Sequence, residues 1–197
     1  MPHPKLPEVQ IESRAAWRAW HCEHHGSPGS IWLVTFKKGR GPYVSYDEIV
    51  EEALCFGWID SRPAKVDDDR TALLLSPRRA GSRWSGVNKA RVAAMTASGL
   101  MAPAGLAAVE RARADGTWDA LEGVDALREP EELTAALDAE PAARAAWTRF
   151  PPSSRRGILE WIEAAKTAQT RARRISETAR KAALGIKANF PEGRNRG

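Results

Sequence analysis

Cationic and hydroxyl side chains are concentrated where a predicted strand gives way to a predicted helix. Arg78 and Arg79 follow the strand, and Ser85 is a typical helix N-cap residue. Arginine forks bind phosphate or carboxylate through paired hydrogen bonds, and the free amides of a helix start favour the same negative charge. We therefore predict a site for a small anionic molecule, made of Asp60, Arg78, Arg79, Ser82, Trp84 and Asn88. In this interpretation the two arginines hold the anion, Ser82 and Asn88 orient it, and Trp84 covers it.

The same residues also allow a purely structural interpretation. Trp58 and Trp84 could be core aromatics, and the arginines could pair with the nearby carboxylates of Asp60 and residues 67–69. Arginine is rarely buried without a partner, and internal ion pairs satisfy it without any ligand. No catalytic motif decides between the two interpretations, so both stay open at this point.

A second group of cationic residues lies near the carboxyl end of the chain. Arg171, Arg174, Thr178 and Lys181 share one face of a predicted helix, while Ile175 and its neighbours can pack inward. Such a face could follow a phosphate backbone, which makes a nucleic-acid binder the second candidate function. The favoured interpretation is a solvated face, or one that docks on the acidic segment 115–149.

The enzyme classes with recognisable short motifs are not represented. The sequence contains no GxGxxG, no P-loop, no HExxH and no GxSxG. Cys55 falls in the last turn of an apolar helix, where a thiol usually acts as a small hydrophobe. We assign no catalytic residue, and an enzyme with a pocket around Asp60, Arg78 and Trp84 is the third candidate.

Histidine and cysteine are close together only between positions 21 and 25. His21, Cys22, His24 and His25 include the imidazole and thiolate groups that bind zinc, but a surface helix end carrying histidines explains them equally well. We predict no metal and no cofactor.

Composition indicates a folded protein with an excess of positive charge. Hydrophobic residues make up 43% of the chain, eight residues are tryptophan, and the net charge is +5. The apolar run at 31–34 is far shorter than the roughly 20 residues that cross a bilayer, and the first residues do not resemble an export signal. We expect a cytoplasmic protein without a membrane partner, and the oligomeric state is not readable from these features.

Hydrophobic spacing and helix boundary residues predict an α+β fold, with a small amino-terminal β-sheet, flanking helices and then a helical bundle. Strands are expected at 31–36, 58–61 and 71–75, and prolines 130, 141 and 152 open successive carboxy-terminal helices. The expected parts are 1–125 for the α+β region, 126–186 for the helical region, and 187–197 for a flexible tail.

Two sets of residues resemble a known family. The first set comprises Tyr46-Asp47-Glu48, residues 53–60, Pro77-Arg78-Arg79, Ser82, Trp84-Ser85, Asn88 and residues 99–101. The second comprises Ile158-Leu159, Trp161-Ile162, Ala165-Lys166, Thr170-Arg171, residues 173–175 and Thr178. Together they resemble the YdeI/OmpD-associated, or bacteriocin-protection, family over roughly residues 12–186. The resemblance implies an uncharacterised protein, and the family name links it to bacteriocin protection and an outer-membrane porin. With the cationic loop taken into account, we expect a protein that binds an anionic small molecule or acts in a stress or protection role.

Overall fold

The computed structural model describes residues 6–190, and the chain divides into two compact units between Ala120 and Leu121. The first unit carries a sheet with helices and the second unit is helical, so the predicted α+β class is confirmed. Within the described residues, none of the helices combines the length and the apolarity that crossing a bilayer requires.

Four strands and four helices form the described part of the first unit. The strands are β1 (Glu8–Gln10), β2 (Ile31–Phe36), β3 (Trp58–Lys65) and β4 (Arg70–Pro77). The helices are α1 (Arg14–His24), α2 (Tyr46–Cys55), α3 (Gly86–Ala97) and α4 (Pro103–Ala114). The sheet order is β1-β2-β4-β3, with β1 parallel to β2 and the other pairs antiparallel.

Local sequence signals explain where these helices begin. Ser45 and Glu48 form the predicted capping box: the Ser45 amide donates to Glu48 Oε2 at 2.8 Å, and the Glu48 amide donates to Ser45 Oγ at 3.3 Å. Ser85 caps α3 in the same way by accepting from the Asn88 amide at 3.4 Å. The start of α3 therefore fixes the end of the loop 78–84 that joins it to β4.

Two glycines set the position of α4 against α2. A Cβ at Gly105 would lie 2.2 Å from the carbonyl oxygen of Cys55, so the two backbones touch at a place where only glycine fits. Gly57 has a φ of +77°, and its carbonyl accepts from the Arg78 amide at 2.9 Å. The turn after α2 thus anchors the backbone of Arg78, while the end of α2 supports α4.

The second unit consists of α5 (Glu122–Asp125), α6 (Glu131–Asp138), α7 (Pro141–Arg149), α8 (Pro152–Glu163) and α9 (Ala168–Ala183). Pro141 and Pro152 lie in the first turns of their helices, as predicted, and Pro130 is the N-cap of α6. The short helix α5 packs on α8.

The packed region of this unit continues past the end of α9. Lys187 and Ala188 are buried and Phe190 packs on the core, although the sequence analysis placed all three in a flexible tail. The rest of that predicted tail, residues 191–197, lies outside the described residues.

Candidate anion-binding site

A small cavity in the first unit lies between the loop 78–84 and the second half of α4. Its polar lining comes from Arg78, Arg79 and Ser82 on the loop and from Arg111, Asp115 and Thr117 on the α4 side. Trp84, Ala108 and Ala112 supply the apolar lining. The cavity volume is only about 10 Å³, which is room for one water or one ligand oxygen atom.

Arg78 is the buried cation of this cavity. Its side chain leaves the end of β4, and the residue is 8% exposed. The central carbon of its guanidinium lies 3.6 Å from the centre of the Trp84 ring, in cation–π contact. Nη1 donates to Ser82 Oγ at 3.2 Å and to the carbonyl of Arg83 at 3.4 Å. Trp84 and the loop therefore fix the plane of the guanidinium.

One edge of the Arg78 guanidinium has no protein partner. Nε is buried and unsatisfied, and Nη2 makes no hydrogen bond to any of the described residues. Nε and Nη2 form the side of the fork that lies away from Nη1, and this side binds an oxyanion through two parallel hydrogen bonds. This edge therefore carries the unpaired donors that an oxyanion would need, and its Nε atom has almost no surface open to solvent.

Arg78 also lacks a neutralising carboxylate at contact distance. Among the described residues, no carboxylate oxygen lies within 4.0 Å of its guanidinium nitrogens. Burial lowers the pKa of Arg78 to about 10, and the charge of Asp60 opposes that shift. Arg78 therefore stays charged at neutral pH. A buried charge without a partner is costly, so an anion at this edge would be stabilising.

The opposite wall is held in place by Asp115. Its carboxylate accepts from Thr117 Oγ1 at 2.5 Å, from the Thr117 amide at 3.0 Å and from the amide of Gly81. These hydrogen bonds lower the pKa of Asp115. The Trp84 amide donates to the Thr117 carbonyl at 3.3 Å, which makes a second link. The loop and the end of α4 are therefore fastened together around the cavity.

Four of the six predicted site residues line this cavity, namely Arg78, Arg79, Ser82 and Trp84. Trp84 is 1% exposed and lies beneath Arg78, so it forms the floor of the cavity and does not cover a ligand. Arg79 is exposed at the rim.

Asp60 and Asn88 belong to a neighbouring network. The Tyr46 hydroxyl donates to Asp60 at 2.8 Å, while Arg91 donates to Asn88 Oδ1 at 3.1 Å and to Asp47 at 2.5 Å. Burial and the hydrogen bond from its hydroxyl to Asp60 raise the pKa of Tyr46 to about 12. Asp60 acts on the cavity only through its charge, which favours the protonated form of Arg78.

The structural interpretation holds for the two tryptophans, which are buried, but not for the carboxylates of residues 67–69, which do not pair with the cavity arginines. Trp58 is 1% exposed and its Nε1 donates to the His25 carbonyl at 2.9 Å, so it is a core residue. The carboxylates of the 67–69 loop pair elsewhere: Asp67 with Arg70, Asp68 with Lys65, and Asp69 with Arg40. None of these three carboxylates pairs with Arg78 or Arg79.

The α4 wall of the cavity was not predicted from the sequence. Arg111, Asp115 and Thr117 are more than 25 residues from the loop in sequence, and nothing local indicates that α4 packs there. The backbone amides at the start of α3 were predicted to face the anion, but no residue of α3 lines the cavity. The side chains of the α4 wall lie there instead. An Asp-Gly-Thr turn closing a helix was the available signal, since such a carboxylate commonly accepts backbone hydrogen bonds.

The second predicted cationic face is largely engaged within its own unit. Arg171 pairs with Glu163 at 3.0 Å, and Lys181 pairs with Glu177 at 2.7 Å. Arg174 stacks on Trp161 at 4.9 Å and also donates to the Trp161 carbonyl. Thr178 is 1% exposed, and its hydroxyl donates to the Arg174 carbonyl at 2.8 Å.

The histidines and cysteines occupy different environments. His21 is fully buried among aromatic rings, whereas Cys22 is exposed, so their side chains lie on different faces of α1. Among the residues that the structure describes, no three His, Cys, Asp or Glu side chains are grouped as metal ligands would be. Burial raises the pKa of the Cys55 thiol to about 11, which disfavours the nucleophilic thiolate at neutral pH.

Comparisons with known proteins divide along the same two units. Residues 9–108 match the model of a domain of unknown function, DUF8412, and residues 126–185 match the model described as bacteriocin-protection, YdeI or OmpD-associated. Neither the curated proteins nor the solved structures contain a match. The first match includes the loop 78–84, and the second runs from before α6 to just beyond α9. The chain therefore belongs to the DUF8412 family, whose model covers half of its residues, and its helical unit is similar to the YdeI/OmpD-associated family.

Proposed function

We propose that this protein binds a small anionic molecule in its amino-terminal unit, and that Arg78 is the residue that holds the anion. The observation that carries the proposal is a guanidinium that is 8% exposed, stacked on Trp84, and without hydrogen-bond partners along its Nε–Nη2 edge. An oxyanion with one oxygen in the cavity would accept a hydrogen bond from this edge and neutralise the charge. The function is binding, and no catalytic residue is assigned to it.

The arrangement favours recognition of one charged group over enclosure of a whole ligand. The cavity admits a single water-sized atom, and the rim carries the exposed side chains of Arg79 and Arg111. A ligand would therefore place one oxygen inside and leave its remainder in solvent. Ser82 is fixed by Arg78 Nη1, and its hydroxyl lone pairs orient the guanidinium.

The test is a thermal-shift screen of the full chain against inorganic phosphate, nucleoside monophosphates and short oligonucleotides. A ligand that binds only the folded form raises Tm in proportion to the logarithm of its concentration above Kd. We expect phosphate-bearing compounds to raise Tm in the wild type and to lose that effect in Arg78→Met. Methionine fills the space over Trp84 without a buried charge, so this variant is expected to fold.

A matched control separates the cavity from general cationic attraction. Arg62 also lies near an indole, 5.5 Å from the centre of Trp32, but it is exposed and does not line the cavity. Arg62→Ala changes the net charge by the same amount as Arg78→Met and should keep the full ligand response. Equal ligand-induced shifts in wild type and Arg78→Met would exclude the proposed site.

The screen also discriminates the other candidate function. Stabilisation by oligonucleotides that survives Arg78→Met but disappears in an Arg171→Ala, Lys181→Ala double variant would favour a nucleic-acid binder using the carboxy-terminal helix. A protection role is suggested only by the name of the YdeI/OmpD-associated family. An anion-binding unit is compatible with such a role without specifying it.

A further inference from the structure

We infer that the anion held by Arg78 is the phosphate group of a phosphate monoester, in its doubly charged form. This inference rests on the proposed function and adds the chemical class of the ligand. It follows from three features of the cavity: its charge, its size and the orientation of its free donors.

The charge of the cavity is matched by a dianion. Three arginines, Arg78, Arg79 and Arg111, and one carboxylate, Asp115, line it, which leaves a formal charge of +2. A phosphate monoester carries a charge of about −1.5 to −2 at neutral pH, whereas a carboxylate or a sulfate monoester carries −1. Asp60 lies outside the lining and acts on Arg78 only at a distance, so among these groups the phosphate best matches the formal charge of the lining side chains.

Asp115 does not stand in for the ligand, because it makes no hydrogen bond or ion pair with Arg78. Its carboxylate receives three hydrogen bonds, two from Thr117 and one from the amide of Gly81. Asp115 therefore shapes the wall and holds the loop, while the Nε–Nη2 edge of Arg78 stays unpaired.

The size of the cavity determines how the phosphate enters. There is room for one oxygen-sized atom beside Arg78, so the other phosphate oxygens must remain at the rim. Both Arg79 and Arg111 are exposed there and present further donors. A tetrahedral group with three terminal oxygens can contact the buried and the rim arginines together, whereas a planar carboxylate has only two oxygens in one plane. The ester substituent points away from the cavity, so the rest of the ligand lies outside.

The experiment compares three small probes that differ in charge and shape. Binding of methyl phosphate, methyl sulfate and acetate to the full chain is measured by isothermal titration calorimetry at pH 7.5 and low ionic strength, where surface charges are least screened. Methyl phosphate and methyl sulfate have nearly the same shape and differ by one charge. We expect methyl phosphate to bind at least about tenfold more tightly than methyl sulfate, and acetate to bind more weakly than either.

Single variants test the origin of that preference. Arg79→Ala and Arg111→Ala should each reduce the ratio between methyl phosphate and methyl sulfate, whereas Arg62→Ala should leave it unchanged. Equal affinity for the two esters, or tighter binding of acetate, would overturn the dianion inference and leave the anion-binding function standing. Failure of all three probes to bind would overturn both.

Discussion

The imidazole of His21 is completely enclosed by aromatic rings and makes no hydrogen bond through either nitrogen to the described residues. Its ring centre lies 4.0 Å from that of Trp17, 5.0 Å from Phe56, 5.3 Å from Trp20 and 5.4 Å from Trp58. Such a site can hold a neutral imidazole but not a cation. Burial, and to a smaller extent His25 and Arg18, lowers the pKa of His21 from 6.5 to about 3.

This difference makes the stability of the amino-terminal unit depend on pH. Below pH 6.5, His21 becomes protonated in the unfolded chain but stays neutral in the folded chain. The contribution of His21 to the free energy of unfolding is therefore fully present above pH 6.5 and is lost as the pH falls towards 3. A pH of 5.0 lies 1.5 units below the pKa of 6.5 that His21 has in the unfolded chain, and protonation stabilises the unfolded state in proportion to this difference. At about 1.36 kcal/mol per unit, the free energy of unfolding falls by about 2 kcal/mol through this residue alone.

The assay is urea unfolding at pH 7.5 and 5.0, followed by tryptophan fluorescence, because six of the eight tryptophans lie in the amino-terminal unit. His21→Phe keeps an aromatic ring in the enclosure and removes the titrating group. We expect the wild type to lose about 2 kcal/mol more than His21→Phe between the two pH values, which corresponds to roughly 1 M urea in the midpoint.

His24→Phe is the matched control, because it removes an exposed imidazole from the same helix. This variant should keep the acid sensitivity of the wild type, because the enclosed imidazole of His21 is still present. Equal losses of stability in the wild type and in His21→Phe would refute the conclusion that a neutral, enclosed imidazole makes the fold acid-sensitive.

Two further predictions concern packing and buried charge in the units. Gly105→Ala should lower the free energy of unfolding by at least about 3 kcal/mol, because its Cβ would lie 2.2 Å from the Cys55 carbonyl oxygen. Gly157→Ala would make only ordinary contacts, so it should raise the free energy of unfolding by about 0.5 to 1 kcal/mol. Chemical denaturation of both variants checks this pair, and a tolerated Gly105→Ala would contradict the close approach of α4 to α2. Glu52→Gln should cost about 3 kcal/mol, because this buried carboxylate pairs with Arg14 and Arg18, both at 2.7 Å, while Glu51→Gln should cost less than about 1 kcal/mol. Similar urea midpoints for the two glutamine variants would show that the buried ion pairs of Glu52 contribute no more than the ion pair between Arg14 and Glu51 at 2.8 Å.

Local chemistry explains which parts of the fold could be predicted. The capping box of Ser45 and Glu48 and the prolines at the starts of α7 and α8 act within a few residues, so the sequence itself carries the information. Strand β1 was not predicted, because three residues with two polar side chains show no clear pattern and depend on parallel pairing with β2.

The candidate site was predictable only on its loop side. Arg78, Arg79, Ser82 and Trp84 are close in sequence and therefore close in space, whereas the α4 wall requires a contact that no local rule provides. Helical spacing put Thr178 on a polar face, yet its hydroxyl donates to a backbone carbonyl four residues earlier, which allows complete burial. Periodicity cannot show that a polar side chain is satisfied by its own helix.

The most direct test of anion binding is to observe the Nε–H group of Arg78 by nitrogen–proton NMR while inorganic phosphate is added. The resonance is assigned by its loss in Arg78→Lys, and the Nε–H of Arg62 serves as an internal reference. If phosphate binds at the free edge, the Arg78 resonance will shift and reach saturation while that of Arg62 stays in place. An Arg78 resonance that does not move, or that only follows the ionic strength as Arg62 does, would contradict the account.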